Sequence, residues 1–438
     1  MRSLTIFGPR DPVLAWDGTQ LFTDCDLTRG ARPSPPLDGI CAAVQPLPDG
    51  GTRIVRDRLG LGKLFWARGV GGRVEFAART AQLTAAGHRL DTIMSVPRGV
   101  VLEYDRDGCL IGESRFHPPR AQDLPPAPVS HAGRRIRRTL DAYLAALAER
   151  YRDRRIYVCL SGGLDSSTVA AVAREHFPDL TGVSFDLAEE GSAPSEDRLA
   201  AIRLAGDLGL PLLEANASPE RLLSHLDEVL VEGIDWRDFN VHCALVNAVL
   251  GEAIAREHGR DGPAPLVITG DLPNQFLVDY HAETYGGATY YALPRLGAER
   301  LRSILIDGLD SCHREGGPFG AHGLVTVQPY AACLEDYLSL PADFLDRPDR
   351  KDVLVRQIVG SALPRYIYER PKVRAQIGGE QGGVLATCID RGIDGPYLRR
   401  RFAELHDLDD DAVLDRFLRA GRYRSQTPSL AEEIHADA

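Results

Sequence analysis

The chain has 438 residues, 44% hydrophobic and 26% charged, a globular composition long enough for two or three domains. Its formal net charge of −11 argues against a nucleic-acid-binding protein, which needs a basic face. No apolar run is long enough to span a bilayer, Met1-Arg2-Ser3-Leu4 lacks a signal-peptide core, and the eight cysteines form no C-x-x-C pair. A cytoplasmic chain with reduced thiols, no membrane partner and no zinc knuckle is therefore expected.

Residues 1–117 are expected to be β-rich. Ser3–Phe7, Thr52–Val55, Gly72–Ala77 and Gly99–Tyr104 cluster β-branched and aromatic residues between Gly, Pro and Asp turns. His88 and His117 are isolated there and read as surface or packing residues. The prolines of residues 118–130 oppose helix and sheet and predict a semi-extended linker. Apolar residues at 136, 140, 143, 144, 147 and 151 then follow helical spacing.

From there strands and helices alternate: Ile156–Val158, a helix after Ser167, the strand Leu180–Phe185, a helix over Glu196–Leu208 and the strand Leu210–Glu214. Ser218 caps a helix with Pro219 in its first position, His242–Glu257 forms another, and Pro265–Thr269 is a continuous apolar strand. Such βα repeats predict a parallel sheet with its ligand beyond the carboxyl ends of the strands, where Ser161, Phe185 and Gly270 fall. Beyond about residue 290 the patterns read as helical, over Arg300–Leu309, Ala331–Leu340, Lys351–Ser361 and Pro396–Leu405. A polar tail over residues 426–438 closes the chain.

The stretch Leu160-Ser161-Gly162-Gly163-Leu164-Asp165-Ser166-Ser167 is the strongest chemical signal. A strand, a glycine turn and a helix start aim orphan amides and the positive end of a helix dipole at one place, which suits an anion. The three serines add hydroxyl donors, and Asp165 makes sense mainly as a magnesium ligand. No lysine follows the glycines, so the loop is not a Walker-type P-loop.

This loop, together with Arg56–Ala67, Phe76–Leu83, Val96–Leu102 and the late Glu369-Arg-Pro-Lys372, resembles the asparagine synthetase family with its β-lactam synthetase and lasso-peptide cyclase relatives, in the same order along the chain. The resemblance implies an α/β protein: a degenerate Ntn-type αββα sandwich over residues 1–117, then a PP-loop (adenine nucleotide alpha hydrolase-like) synthetase domain over 131–425 with a helical C-terminal part. It also implies ATP and Mg2+ as cofactors. A small-molecule or peptide carboxylate is adenylated with release of pyrophosphate, and an amine then expels AMP; a homodimer is compatible. In these roles Leu160–Ser167 hold pyrophosphate, Val183, Phe185, Thr269 and Gly270 read adenine and ribose, Asp165 and Asn274 hold metal, and Lys372 balances charge on pyrophosphate and oxyanion.

Two departures from the family pattern carry information. Glutamine-hydrolysing members expose an N-terminal cysteine after methionine removal, whereas position 2 here is Arg and the first cysteine is Cys25, so no glutaminase activity is expected. The family's Thr/Ser-Gly-Glu-Gly-x-Asp-Glu stretch aligns with Thr269-Gly-Asp-Leu-Pro-Asn-Gln275. Asp271 therefore falls beside the attacking amine as a candidate base or as part of a dyad, while the Asp-Glu pair becomes Asn274-Gln275, a weaker metal contact for which Asp279 could compensate. Tyr280–Tyr285, Tyr290, Tyr291 and His313 are softer candidates for a substrate pocket. The expected function is an amide-forming synthetase of specialised biosynthesis, cyclising one molecule or joining two. A nucleotide-binding pseudo-ligase is the alternative, and a tRNA-modifying PP-loop enzyme a weaker one.

Overall fold

Clusters of β-branched, aromatic and other apolar residues between turns yield two sheets in the N-terminal part of the chain. A computed structural model describes residues 4–7, 22–23, 41–68, 74–106, 110–187, 194–259, 262–310, 313–370 and 383–408. The chain divides into two compact units, Met1–Pro118 with Ile306–His313 and Arg400–Ala438, and Pro119–Leu305 with Arg314–Arg399.

The first unit holds β1 (Leu4–Phe7), β2 (Phe22–Thr23), β3 (Cys41–Pro46), β4 (Thr52–Arg56), β5 (Phe65–Arg68), β6 (Val74–Ala77), α1 (Thr80–Ala85), β7 (Met94–Ser95), β8 (Val100–Tyr104) and β9 (Leu110–Arg115). The strands form a sheet of order β1-β6-β5-β7 and a second of order β2-β3-β4-β8-β9. Ile54 pairs with Leu102 and Val55 with Val101 across β4 and β8, so neighbours point to opposite faces. Ala42, Val44, Ile54 and Leu102 of one sheet share a buried cluster with Trp66 and Phe76 of the other. The two sheets thus pack on one core as a β-sandwich.

Between β4 and β5 the chain makes a tight turn closed by its own charges. The Asp57 carboxylate accepts from the amides of Leu59 (3.0 Å), Leu61 (3.1 Å) and Gly62 (2.7 Å). Arg56, fully buried, donates to the carbonyls of Gly62 (2.8 Å) and Gly60 (2.7 Å) and pairs with Asp310 at 2.6 Å.

The second unit begins with α2 (Val129–Arg150), whose first turn starts before the helical spacing at Ile136 announces it. Then come β10 (Ile156–Cys159), α3 (Leu164–His176), β11 (Thr181–Leu187), α4 (Glu196–Leu208), β12 (Leu212–Ala217), α5 (Pro219–Leu223), α6 (Leu226–Gly233), α7 (Asp238–His258), β13 (Leu266–Ile268) and α8 (Pro273–Leu277). A hairpin, β14 (Glu283–Tyr285) and β15 (Ala288–Tyr290), leads to α9 (Ala298–Gly308), α10 (Gly316–Ala321), β16 (Val325–Val327), α11 (Leu334–Leu338), α12 (Ala342–Leu345), α13 (Lys351–Val359), α14 (Arg365–Glu369), α15 (Gly383–Asp390) and α16 (Gly395–Leu405). As expected, Glu196–Leu208 is helical, and Ser218 caps α5 by accepting from the Arg221 amide.

The central sheet has the order β12-β11-β10-β13-β16, and every pairing is parallel. Leu266, Val267 and Ile268 of β13 are completely buried, which is why that strand reads as an unbroken apolar run. The order reverses between β10 and β13. In an open parallel sheet the crevice outside the carboxyl ends of two such strands is the ligand site.

The helical reading beyond residue 290 needs correction. β16 completes the parallel sheet at its edge, and the hairpin just before residue 290 turns on Gly286 and Gly287, both with positive φ. Three-residue strands are too short for periodicity to register against helical neighbours.

Candidate active site

The loop that follows β10 is built to leave amides over. Leu160 is still tied to the sheet through the Val183 carbonyl (2.8 Å), then Gly162 turns at φ +69° and α3 starts behind Gly163. A Cβ on Gly162 would lie 2.6 Å from that of Ala200, so only glycine fits. Ser166 braces the turn: its hydroxyl accepts from the Ser161 amide (3.3 Å), lies 3.0 Å from the Ser161 hydroxyl and donates to the Gly163 carbonyl (3.2 Å). The amides of Leu164, Asp165 and Ser166 are the first of the helix and have no intrahelical acceptor. They face the cavity at the positive end of the dipole.

Gly270, just past β13, closes against this loop. A Cβ there would stand 2.8 Å from both the amide nitrogen and the Cα of Ser166. Arg370 donates to the Ser161 carbonyl at 3.2 Å and pairs with Asp197, whose carboxyl is raised by burial despite that partner. A cavity of about 550 Å³ opens between these walls, within the range of small-ligand sites.

The wall contributed by α8 and the residues after it carries the charge. Asp165 Oδ2 (2.5 Å), Asn274 Oδ1 (2.7 Å) and Asp279 Oδ2 (3.1 Å) all accept from the ammonium of Lys351, the first residue of α13. Burial alone would lower the Lys351 pKa, but the Asp165 and Asp279 charges outweigh it and raise it, so the ammonium stays protonated. Leu272, at the N-terminus of α8, holds a φ of +93° although it is not glycine. Such a conformation costs on the order of 1–3 kcal/mol and persists only where packing enforces it; Leu272 is completely buried.

Asp271 is a buried carboxyl at the cavity whose titration is displaced toward neutrality. Burial and then the charge of Glu315 push its carboxyl up to about 6, against the opposing pull of Arg314. Arg314 is itself committed, donating to Glu315 Oε1 (2.6 Å) and Asn240 Oδ1 (3.0 Å) and lying over the Phe239 ring. Oriented by its neighbours, the Gln275 amide accepts from Tyr280 Oη (3.1 Å) and Arg314 (3.0 Å).

Most residues singled out in the sequence meet here. Leu160, Ser161, Gly162, Gly163, Leu164, Asp165, Ser166, Val183, Phe185, Thr269, Gly270, Asp271 and Asn274 line the one cavity. Ser167 does not: its side chain is fully buried within α3. Tyr280 and His281 reach the cavity, whereas Tyr285 donates outward to Asp390 at 2.8 Å. His88 pairs with Glu75, a packing role. Arg2, Cys25, Lys372 and the tail after Ser425 lie outside the described residues. Sequence reading missed Lys351, Arg314 and Arg370. Lys351 stands in a polar Asp-Arg-Lys-Asp run that resembles any solvated helix start, and only the fold turns it inward.

Asp165, Asp279 and Asn274 are hard oxygen donors of the kind magnesium takes. Asp279 and Asn274 are turned onto Lys351, while the second oxygen of Asp165 makes no hydrogen bond or ion pair among the described residues. The donor chemistry is compatible with a magnesium ion, although the Lys351 ammonium engages an oxygen of each of these residues.

Residues 137–259 match the family model described as asparagine synthase. The matched segment contains the Ser161–Ser166 loop and the strands and helices beside it. It supports an ATP-using, ligase-type enzyme. No curated protein matches the chain in sequence. Among solved structures, the chain is similar to an NH3-dependent NAD synthetase from Campylobacter jejuni subsp. jejuni NCTC 11168, at 13% identity and a TM-score of 0.26, over 55% of this chain and 97% of that one. It is also similar to a glutamine-dependent NAD+ synthetase from Acinetobacter baumannii (13%, TM-score 0.29, 70% and 48%) and to an NMN synthetase from Francisella tularensis (15%, 0.27, 67% and 97%). Among the described residues no helix is long and apolar enough to cross a membrane.

Proposed function

We propose that the protein is an ATP-dependent carbon–nitrogen ligase. A carboxylate oxygen attacks the α-phosphorus of ATP, the α–β phosphoanhydride breaks, and pyrophosphate leaves with an acyl-adenylate behind. An amine nitrogen then attacks the acyl carbon, the bond to AMP breaks, and one proton passes from nitrogen to base. The observation that carries this reading is the convergence on one cavity of the amide-rich Ser161–Ser166 turn, the Lys351 ammonium and the up-shifted Asp271 carboxyl.

Each group suits a step. The free amides of Leu164, Asp165 and Ser166 suit the anionic pyrophosphate. The Lys351 ammonium, held against Asp165 beside the turn, would meet the negative charge that grows as pyrophosphate departs, and electrostatic stabilisation of that kind is often the largest catalytic term. Magnesium, held by Asp165, would neutralise phosphate charge. Asp271, ionised above about pH 6, can accept the proton of the attacking amine. We further propose that the amine is not drawn from glutamine, and that the reaction serves a specialised biosynthesis, either closing a lactam or joining two molecules.

The test is ATP–pyrophosphate exchange across a panel of amino, hydroxy and peptide acids. Exchange with at least one acid, together with no glutamate release from glutamine, is expected. ATP binding without exchange for any acid would replace the ligase by a nucleotide-binding pseudo-ligase, a reading that Asn274 in place of a carboxylate favours.

A further inference from the structure

A second cluster of chemistry-bearing side chains lies among α5, α6, α7 and α10. His225 follows α5 and precedes α6, Glu228 sits in the first turn of α6, and His322 ends α10. One donor atom from each lies within 4.8 Å of the others. His322 Nε2 stands 3.3 Å from Glu228 Oε1, and His225 Nδ1 stands 3.6 Å from the same oxygen. His322 Nε2 and Glu228 Oε1 are shielded from solvent, yet neither makes a hydrogen bond. These atoms meet one another at ion-pair distance without a well-formed hydrogen bond, an arrangement that calls for an explanation.

The backbone is shaped to bring these groups together. Gly317 lets α10 ride onto the end of α6, where a Cβ would fall 2.2 Å from the Glu232 carbonyl oxygen. Gly251 of α7 leaves room for the His322 ring, which a Cβ would approach to 2.9 Å. The two imidazoles then meet edge to face at 5.9 Å.

We propose that His225, Glu228 and His322 form a site for a divalent transition metal of the zinc class. Two imidazoles and a carboxylate are a known zinc ligand set that leaves a fourth position open. Zinc–ligand bonds of about 2.1 Å at tetrahedral angles separate neighbouring donors by roughly 3.4 Å, close to the 3.3 and 3.6 Å seen around Glu228 Oε1. The geometry assigns Nδ1 of His225 to the metal, because its Nε2 faces Glu252 Oε2 at 3.4 Å. Glu252 is anchored in turn by Arg221. His225 Nε2 makes no hydrogen bond at that distance; on metal binding, a carboxylate behind a ligating histidine would orient it and strengthen it as a ligand.

A metal bound here would clasp two segments of the chain. It ties α6 to the end of α10, whose opposite end follows Arg314 and the cap residue Glu315, the pair that sets the charge around Asp271. The clasp is independent of the ligase reading.

Protein freed of metal by chelator dialysis should take up one equivalent of Zn2+ per chain by calorimetry and elemental analysis, and Co2+ should give the visible bands of a tetrahedral ion. His322→Gln should abolish the stoichiometric uptake, and Glu228→Gln, a near-isosteric change, should do the same without depending on the fold of the histidine variant. Glu252→Gln should weaken binding by roughly 10–100-fold while keeping the stoichiometry. No stoichiometric uptake, or uptake unchanged in both His322→Gln and Glu228→Gln, would overturn the assignment.

Discussion

Two glycine-bearing turns in this molecule, each following a strand, use the same parts for opposite ends. In the turn after β4, Asp57 takes three amides and Arg56 takes two carbonyls, so the turn satisfies itself. In the turn after β10, Ser166 braces the backbone through its hydroxyl while the first amides of α3 are left to the cavity. Glycine, an acidic residue and a sharp bend are thus not enough to mark a site. What distinguishes a binding turn is the surplus of donors once its own side chains have bonded. Asp165 embodies the difference: its Oδ2 meets a lysine across the cavity, whereas Asp57 turns back on its own turn.

The largest effect that can test this contrast comes from the chemistry opposite the second turn. Asp271→Asn should cut the amide-forming rate by about 10²–10⁴-fold while leaving ATP–pyrophosphate exchange largely intact. In the unsubstituted protein the same rate should fall as pH drops through about 6, where the base takes a proton. The stability sign is the reverse. A carboxyl whose pKa is raised in the folded state penalises folding above that value, so Asp271→Asn should be the more stable protein at pH 8. That gain should vanish as pH falls through the window between about 6 and the ordinary aspartate value of 3.8. Equal urea midpoints at pH 8 would remove Asp271 from the role of strained base.

Lys351→Met comes next. It leaves Asp165 and Asp279 facing each other without their cation, and breaking such a buried set by removing one partner costs roughly 3–5 kcal/mol. Lys351→Arg should recover part of the loss in urea unfolding, because the charge remains. A Met variant as stable as the parent would mean that the carboxylates are neutralised by something other than the lysine.

The self-contained turn is tested by Asp57→Ala. Three amides lose their acceptor, and unpaired buried donors cost about 1–3 kcal/mol each where water cannot replace the partner. Stability should drop, while the folded fraction binds ATP with unchanged affinity. An altered ATP affinity in calorimetry would break the division between a structural and a binding turn.

How much of this was legible beforehand depends on where the information resides. The parallel sheet and the Ser161–Ser166 cradle could be read because strand patterning, a glycine turn and helix-start residues are local signals. The edge strand Val325–Val327 could not, since three residues carry no period and its partner β13 is far off in the chain. Lys351 was invisible for a related reason: a lysine at a polar helix start turns inward only because Asp165, Asn274 and Asp279 meet it there. Leu272 runs against its own residue type. The pattern leads one to look for glycine at that position, and the backbone keeps a positive φ with a buried leucine instead.

The smallest of these effects bears most directly on the binding turn. In Gly270→Ala the new methyl would stand 2.8 Å from the backbone of Ser166, which has no flexible end to swing away. Either the strand end or the first turn of α3 must shift by several tenths of an ångström, and overpacking of that kind costs typically about 1–3 kcal/mol. Of the two, the first turn of α3 is the easier to move, because its Leu164, Asp165 and Ser166 amides have no intrahelical acceptor, whereas Thr269 is pinned to the Val327 carbonyl at 3.0 Å. The displacement should therefore fall on the amides of Asp165 and Ser166, and ATP affinity should weaken more than stability does. If denaturant midpoint and nucleotide affinity fell together in proportion, the loop would be as rigidly anchored as the turn at Asp57, and its surplus amides would not be what makes it a site.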